Sequence, residues 1–214
     1  MKKILLALSA VALLGVATTA AHADTIYTLN NDQCTGGCGT GPFGTVKLSQ
    51  SGSSVNVTVT LAAGENFSGT GAGDALEFNL LNFTGPISIT NISSGFGIGP
   101  SPDTASAFGT FMFSVSCTTC SGGNGPTGPL TFTVGDANGV LESDFAKLST
   151  IPPGSVQAYF AADIAGANGN TGNVGATGIP TISQTPEPSS LMLLGTGVLG
   201  AAGVIRRRAI AARN

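Results

Sequence analysis

Between its two ends, this 214-residue chain has no histidine, no arginine and no tryptophan. The single histidine is His22, and the four arginines are Arg206, Arg207, Arg208 and Arg213. Residues 24–185 therefore lack the commonest general base and metal ligand, and also the bidentate anion clamp. Neither a Ser-His-Asp nor a Cys-His catalytic unit can be built from them. The same residues hold two cations, Lys47 and Lys147, against ten carboxylates, a formal charge of −8. Nothing there could neutralise phosphates, which excludes nucleic acid as a partner. Two-carboxylate glycoside hydrolysis survives as chemistry. Most of the acids sit among Gly, Ser, Thr or Asn, as in Asn31-Asp32 and Gly73-Asp74, where solvent is expected to surround them. No cofactor and no metal are expected.

What charge and apolar length the chain does have is concentrated at its ends. Lys2 and Lys3 precede an apolar run over residues 4–16, and Ala21-His22-Ala23 supplies small residues at the right spacing. That is a secretory signal peptide, residues 1–23, cut after Ala23. At the other end Pro186-Glu187-Pro188 stops any preceding strand, and Ser189 or Ser190 can cap a helix. Residues 191–205 then carry no charge. A helix over residues 189–205 would be roughly 25 Å long, just short of a hydrocarbon core of about 30 Å. The stems of Arg206, Arg207 and Arg208 can snorkel to close the gap, and arginines beside a span favour the cytoplasm. The expectation is a transmembrane helix with the body outside the cytoplasmic membrane and residues 209–214 as a cytoplasmic tail.

The combination Pro186-Glu187-Pro188, Ser-Ser, a short apolar helix beginning Leu-Leu-Gly-Thr-Gly, and Arg206-Arg207-Arg208 resembles the PEP-CTERM sorting signal, here residues 186–208. Proteins with that signal are exported by Gram-negative bacteria, usually ones that make extracellular polysaccharide. The resemblance implies processing by an exosortase, a membrane-embedded transpeptidase-like enzyme, at or near Pro186-Glu187-Pro188. It implies transient anchoring in the cytoplasmic membrane, then release to the cell surface or the extracellular matrix.

Between the signals, strict alternation dominates. In residues 55–61, Val55, Val57, Val59 and Leu61 fall on one face and Asn56, Thr58 and Thr60 on the other. Residues 45–50 alternate likewise, with turn chemistry at residues 51–54, which reads as a hairpin with one wet face. Similar patterns lie in residues 25–29, 75–83, 86–92, 108–116 and 129–134. In residues 155–164, Val156, Ala158, Phe160, Ala162 and Ile164 share a face. About eight short strands at fairly even spacing predict an all-β domain, a β-sandwich of jelly-roll-like or similar kind, over residues 24–165. A short helix capped by Ser143 is expected near residues 143–148. Residues 166–185, rich in Gly, Asn and Thr, read as a linker, with a last short strand allowed within residues 177–183.

Cys34, Cys38, Cys117 and Cys120 form two close pairs. Export to an oxidising compartment makes disulfides the default. Local bridges Cys34–Cys38 and Cys117–Cys120 are expected, against cross-pairing, a Cys₄ zinc site or a redox dithiol as alternatives. Asp136, Asn138, Glu142 and Asp144 are close enough in sequence to offer oxygens to calcium. Val140 breaks the EF-hand series, so the expectation is a turn. The functional expectation is a non-catalytic surface or matrix protein, with extracellular polysaccharide as a possible partner. The alternatives are a carbohydrate-binding module, which would lack tryptophan platforms, and a carboxylate-based polysaccharide hydrolase.

Overall fold

Alternation is realised most cleanly where the sequence shows it best. In the computed structural model, Val55, Val57 and Val59 are fully buried, while Asn56 and Thr60 face solvent. Residues 51–54 close a two-residue turn that pairs Ser51 with Ser54. The structure describes residues 23–70, 73–151 and 155–183, together with residues 195–197, 199–200, 203 and 211–212.

Fifteen strands follow one another: β1 (Asp24–Leu29), β2 (Asn31–Cys34), β3 (Gly44–Ser51), β4 (Ser54–Leu61) and β5 (Asn66–Phe67). Next come β6 (Leu76–Phe78), β7 (Ser88–Thr90), β8 (Phe96–Ile98), β9 (Asp103–Ala105) and β10 (Gly109–Phe111). The last are β11 (Phe113–Cys117), β12 (Leu130–Gly135), β13 (Phe160–Ala165), β14 (Thr171–Ala176) and β15 (Thr181–Ser183). The first sheet runs β15-β1-β3-β4-β12-β7, and the second β2-β14-β13-β6-β11-β8, with β5 beside β13. Every pairing is antiparallel. The all-β expectation holds.

One apolar core takes side chains from both sheets. Tyr27 of β1 meets Phe160 of β13 edge-on at 4.9 Å. Phe78 of β6 stacks on Phe132 of β12 at 5.8 Å, on Phe113 at 5.6 Å and on Phe145 at 5.5 Å. Offset ring pairs of this kind add to what area burial alone supplies.

Several boundaries differ from expectation. Residues 108–116 form two strands, because Met112 leaves the ladder: its N–H donates to Asn79 Oδ1 at 2.8 Å. The strand expected from residue 155 starts at Phe160, because Ala158 exchanges bonds with Ser149 instead. Val156 is accordingly exposed. The short helix is a 3-10 turn, Glu142–Phe145, and Ser143 does not cap it. Asp144 reaches back to accept the Leu141 N–H at 2.9 Å.

The largest correction concerns residues 166–185. Their described part, residues 166–183, is not a linker: Thr171–Ala176 forms β14, hydrogen-bonded to β2 on one side and β13 on the other. Thr181–Ser183 pairs with the first strand, so the compact unit runs from Ala23 to Ser183 rather than ending at residue 165. Its small residues hid it, since Gly172, Gly175 and Ala176 give little hydrophobic periodicity. At Gly175 the smallness is required, because a Cβ would come within 2.5 Å of the Phe108 ring.

The expected signal peptide lies outside the described residues except for Ala23, which precedes β1 and is half-buried. The expected membrane helix, as a continuous span, also lies outside them. Among the described residues no helix is long and apolar enough to cross a membrane.

Phe78→Ala should destabilise the full chain by about 3–5 kcal/mol, because it leaves three stacked rings around a cavity. Lys47→Ala removes a partly exposed ion pair at 3.2 Å and should cost less than about 1 kcal/mol. Urea unfolding followed by circular dichroism checks both. Equal costs would contradict the packing described.

Candidate functional site: a covered carboxylate cluster

Strand β13 is buried along its whole length, on both faces. Phe160, Ala162 and Ile164 face the shared core. Ala161 faces the other way, beneath a second apolar cluster of Ala105, Phe108, Phe111 and Ala158. The β9–β10 hairpin supplies three of those four residues, so it covers the outer face of the second sheet. Side chains on that face would normally be solvated. Here they are shut in, and several are polar.

Register places them together. Glu77 of β6 lies opposite Ala161 of β13, and Ser114 of β11 lies opposite Glu77 on its other side. Asp163 follows Ala161 on the same face and lies opposite Asn173 of β14. Glu77 and Asp163 are fully buried and Asn173 nearly so. Asp74 and Asp103 are half-buried beside them. Asp74 Oδ2 accepts the Ser114 hydroxyl at 2.5 Å, and its backbone N–H donates to Glu77 Oε1 at 2.7 Å. The Thr70 N–H donates to Asp163 Oδ2 at 2.8 Å. Asp103 lies near enough to Asp74 for the two carboxyls to act on each other.

Three buried polar atoms of this group have no hydrogen-bond partner: Glu77 Oε2, Asp163 Oδ1 and Asn173 Nδ2. Each such orphan typically costs about 1–3 kcal/mol. Burial pushes Glu77 well above the usual carboxylate range, against the Asp74 N–H, and Asp103, Asp74 and Asp163 add to the shift. Burial likewise raises Asp163 to about 6, against the Thr70 N–H, with Asp74 adding. Burial and Asp74 also raise Asp103. Neither body cation serves this group. Lys47 pairs with Asp24, and Lys147 donates to Met112 Sδ at 3.4 Å.

Next to the cluster, across Ser114, is a cleft of about 270 Å³ lined by Ile87, Ile89, Ile98 and Phe113 together with Gly99, Ser101 and Ser114. It is slightly smaller than the usual small-molecule site of roughly 300–1,000 Å³. No carboxylate lines it.

Of the residues singled out in the sequence, the cysteines pair locally: Cys34 with Cys38 and Cys117 with Cys120. Asp32 accepts the backbone N–H groups of Cys34 and Cys38, which tightens that loop. Asp136, Asn138, Glu142 and Asp144 do not converge. Asp136 accepts the Thr84 and Asn138 N–H groups, and Glu142 accepts the Gln50 N–H and the Thr25 hydroxyl. Asp144 accepts from Asn82 and Leu141. Pro186, Glu187, Pro188, Arg206, Arg207 and Arg208 lie outside the described residues. The cluster itself is not legible in the sequence, where the Gly73-Asp74 setting points Asp74 to solvent. Its one available signal was Asp163 at an outward position of a strong strand.

A carboxyl whose folded pKa is raised holds its proton where the unfolded chain has lost it. It therefore stabilises the fold below the unfolded pKa, near 4, and that contribution disappears as pH rises through the folded value. Asp24 and Asp136 behave oppositely but only in more acid solution. Burial would raise Asp24, and the Ser49 hydroxyl and Lys47 outweigh it. The Thr84 N–H chiefly lowers Asp136. In chelator, unfolding free energy should thus fall from pH 4.5 to pH 7.5, by about 2 kcal/mol from Asp163 alone. Denaturant titrations at the two pH values measure this. A flat or rising profile would contradict the buried cluster.

No curated protein and no solved structure matches the chain. Residues 184–208 do match a known family, the PEP-CTERM protein-sorting motif. That motif implies an exported protein, anchored transiently in the membrane ahead of exosortase processing, and the chain carries it over residues 184–208.

Proposed function

We propose that the chain is a non-catalytic structural or interaction protein of the cell surface or extracellular polysaccharide matrix. An exosortase delivers it, acting at Pro186-Glu187-Pro188 after a helix over residues 189–205 has halted in the membrane. The observation that carries the reading is the sorting motif at residues 184–208. The motif begins at the residue after the last strand, so processing there would leave the whole compact unit intact. We read its two sheets, which share one core, as a β-sandwich.

The side chains available favour a structural role over the alternatives. Exposed large apolar side chains among the described residues are aliphatic, Tyr27 is buried, and Tyr159, Phe83, Phe96 and Phe113 are half-buried against the core, which makes a poor platform for sugar rings. Clustered acids are what the hydrolase alternative requires. Yet a hydrolase needs both carboxyls at the substrate, and Glu77 and Asp163 have no exposed surface.

Cell fractionation with terminal mass spectrometry tests the proposal. The surface fraction should hold protein that begins at Asp24 and ends near Pro186–Pro188. Glu187→Ala should leave the protein in the cytoplasmic membrane. Intact peptides over residues 206–214 in the surface fraction would refute the sorting step. Release of reducing sugar from bacterial exopolysaccharide, abolished by Asp74→Asn, would replace the structural role with a hydrolase.

A further inference from the structure

We propose that Asp74, Glu77, Asp103, Asp163 and Asn173 form a binding site for one calcium ion, set beneath the β9–β10 hairpin. The donor set is all oxygen, from four carboxylates and one amide, which suits a hard divalent cation. The group has depth: Glu77, Asp163 and Asn173 form a buried floor, while half-buried Asp74 and Asp103 leave an entrance.

The unpartnered atoms point to a ligand independently of the acid count. Glu77 Oε2 and Asp163 Oδ1 are buried acceptors with nothing to accept from. Asn173 Nδ2 is a buried donor with nothing to donate to. The Asn173 Oδ1 is 3.4 Å from the Ser106 hydroxyl. Turning the amide over resolves the donor, because Nδ2 then donates to the Ser106 oxygen. The amide oxygen then faces the carboxylates, an arrangement that needs either a carboxyl proton or, once those protons are lost, a cation among them. At Gly73 the chain also leaves room. A Cβ there would clash with Asn173 Nδ2 and approach Glu77 Oε1 to 3.1 Å, so the missing side chain keeps a cradle open between them.

Without a cation no three of these carboxylates converge. Among the described residues, the trio of metal-capable side chains with ligand atoms within 4.8 Å of one another is Asp32, Cys34 and Cys38, whose sulfurs the disulfide consumes. The carboxylates of the covered cluster would therefore draw inward on binding, by side-chain rotation. Such an ion would tie β6, β13 and β14 to the β9–β10 hairpin through Asp103.

The test is thermal unfolding of the purified full chain at pH 7.5 with 0–10 mM calcium chloride, alongside isothermal calorimetry. One ion should bind, and the melting temperature should rise by about 5 °C or more at 10 mM. Glu77→Gln and Asp163→Asn should each weaken binding at least about ten-fold. Asp136→Asn, outside the cluster, should leave it unchanged. If the two floor variants fail to fold, Asp103→Asn at the entrance carries the test and should weaken binding. No calcium heat and no melting shift in the wild type would overturn the site. So would a calcium response that survives in the cluster variants or is lost in Asp136→Asn.

Discussion

The burial of β13 on both faces is the constraint on which the rest of the unit depends. Its inward residues, Phe160, Ala162 and Ile164, complete the core shared by the two sheets. Its outward residues sit under the β9–β10 hairpin. A strand in that position cannot be left with an open edge, because unpaired buried backbone groups are costly. β14 closes one side, and β6 and β5 share the other. The long loop work of the chain follows from supplying those neighbours.

Covering an outer face creates a second interior. Where that interior is Ala161, Ala158, Phe108 and Phe111, it behaves as a small apolar core. Where it holds Glu77, Asp163 and Asn173, the fold carries buried polar atoms without partners. Apolar side chains at those three positions would fill the same space at lower cost. Retaining them is intelligible if the positions bind something, and a calcium ion fits both the donor chemistry and an exported protein that has no histidine and no free thiol among its described residues.

The parts legible in the sequence are those where side chains differ strongly between the two faces. The hairpin of β3 and β4 is plain because Val and Leu alternate with Lys, Ser, Thr and Asn, and one face is wet. The disulfides follow from close spacing and export. β14 was illegible because Gly172, Gly175 and Ala176 have little to alternate, and what requires Gly175 is the ring of Phe108 from 67 positions away. The carboxylate cluster was illegible for the related reason that cross-strand register, rather than local spacing, assembles it. Asp74 looks like a turn residue until β6, β11 and β13 are set side by side.

Native-state hydrogen exchange tests the central claim, that residues 171–176 are a central strand of the unit rather than a tether. Their bonded amides should exchange as slowly as those of β13, through the same global opening. Exchange at the rate of an unstructured chain, with β13 still protected, would contradict this account.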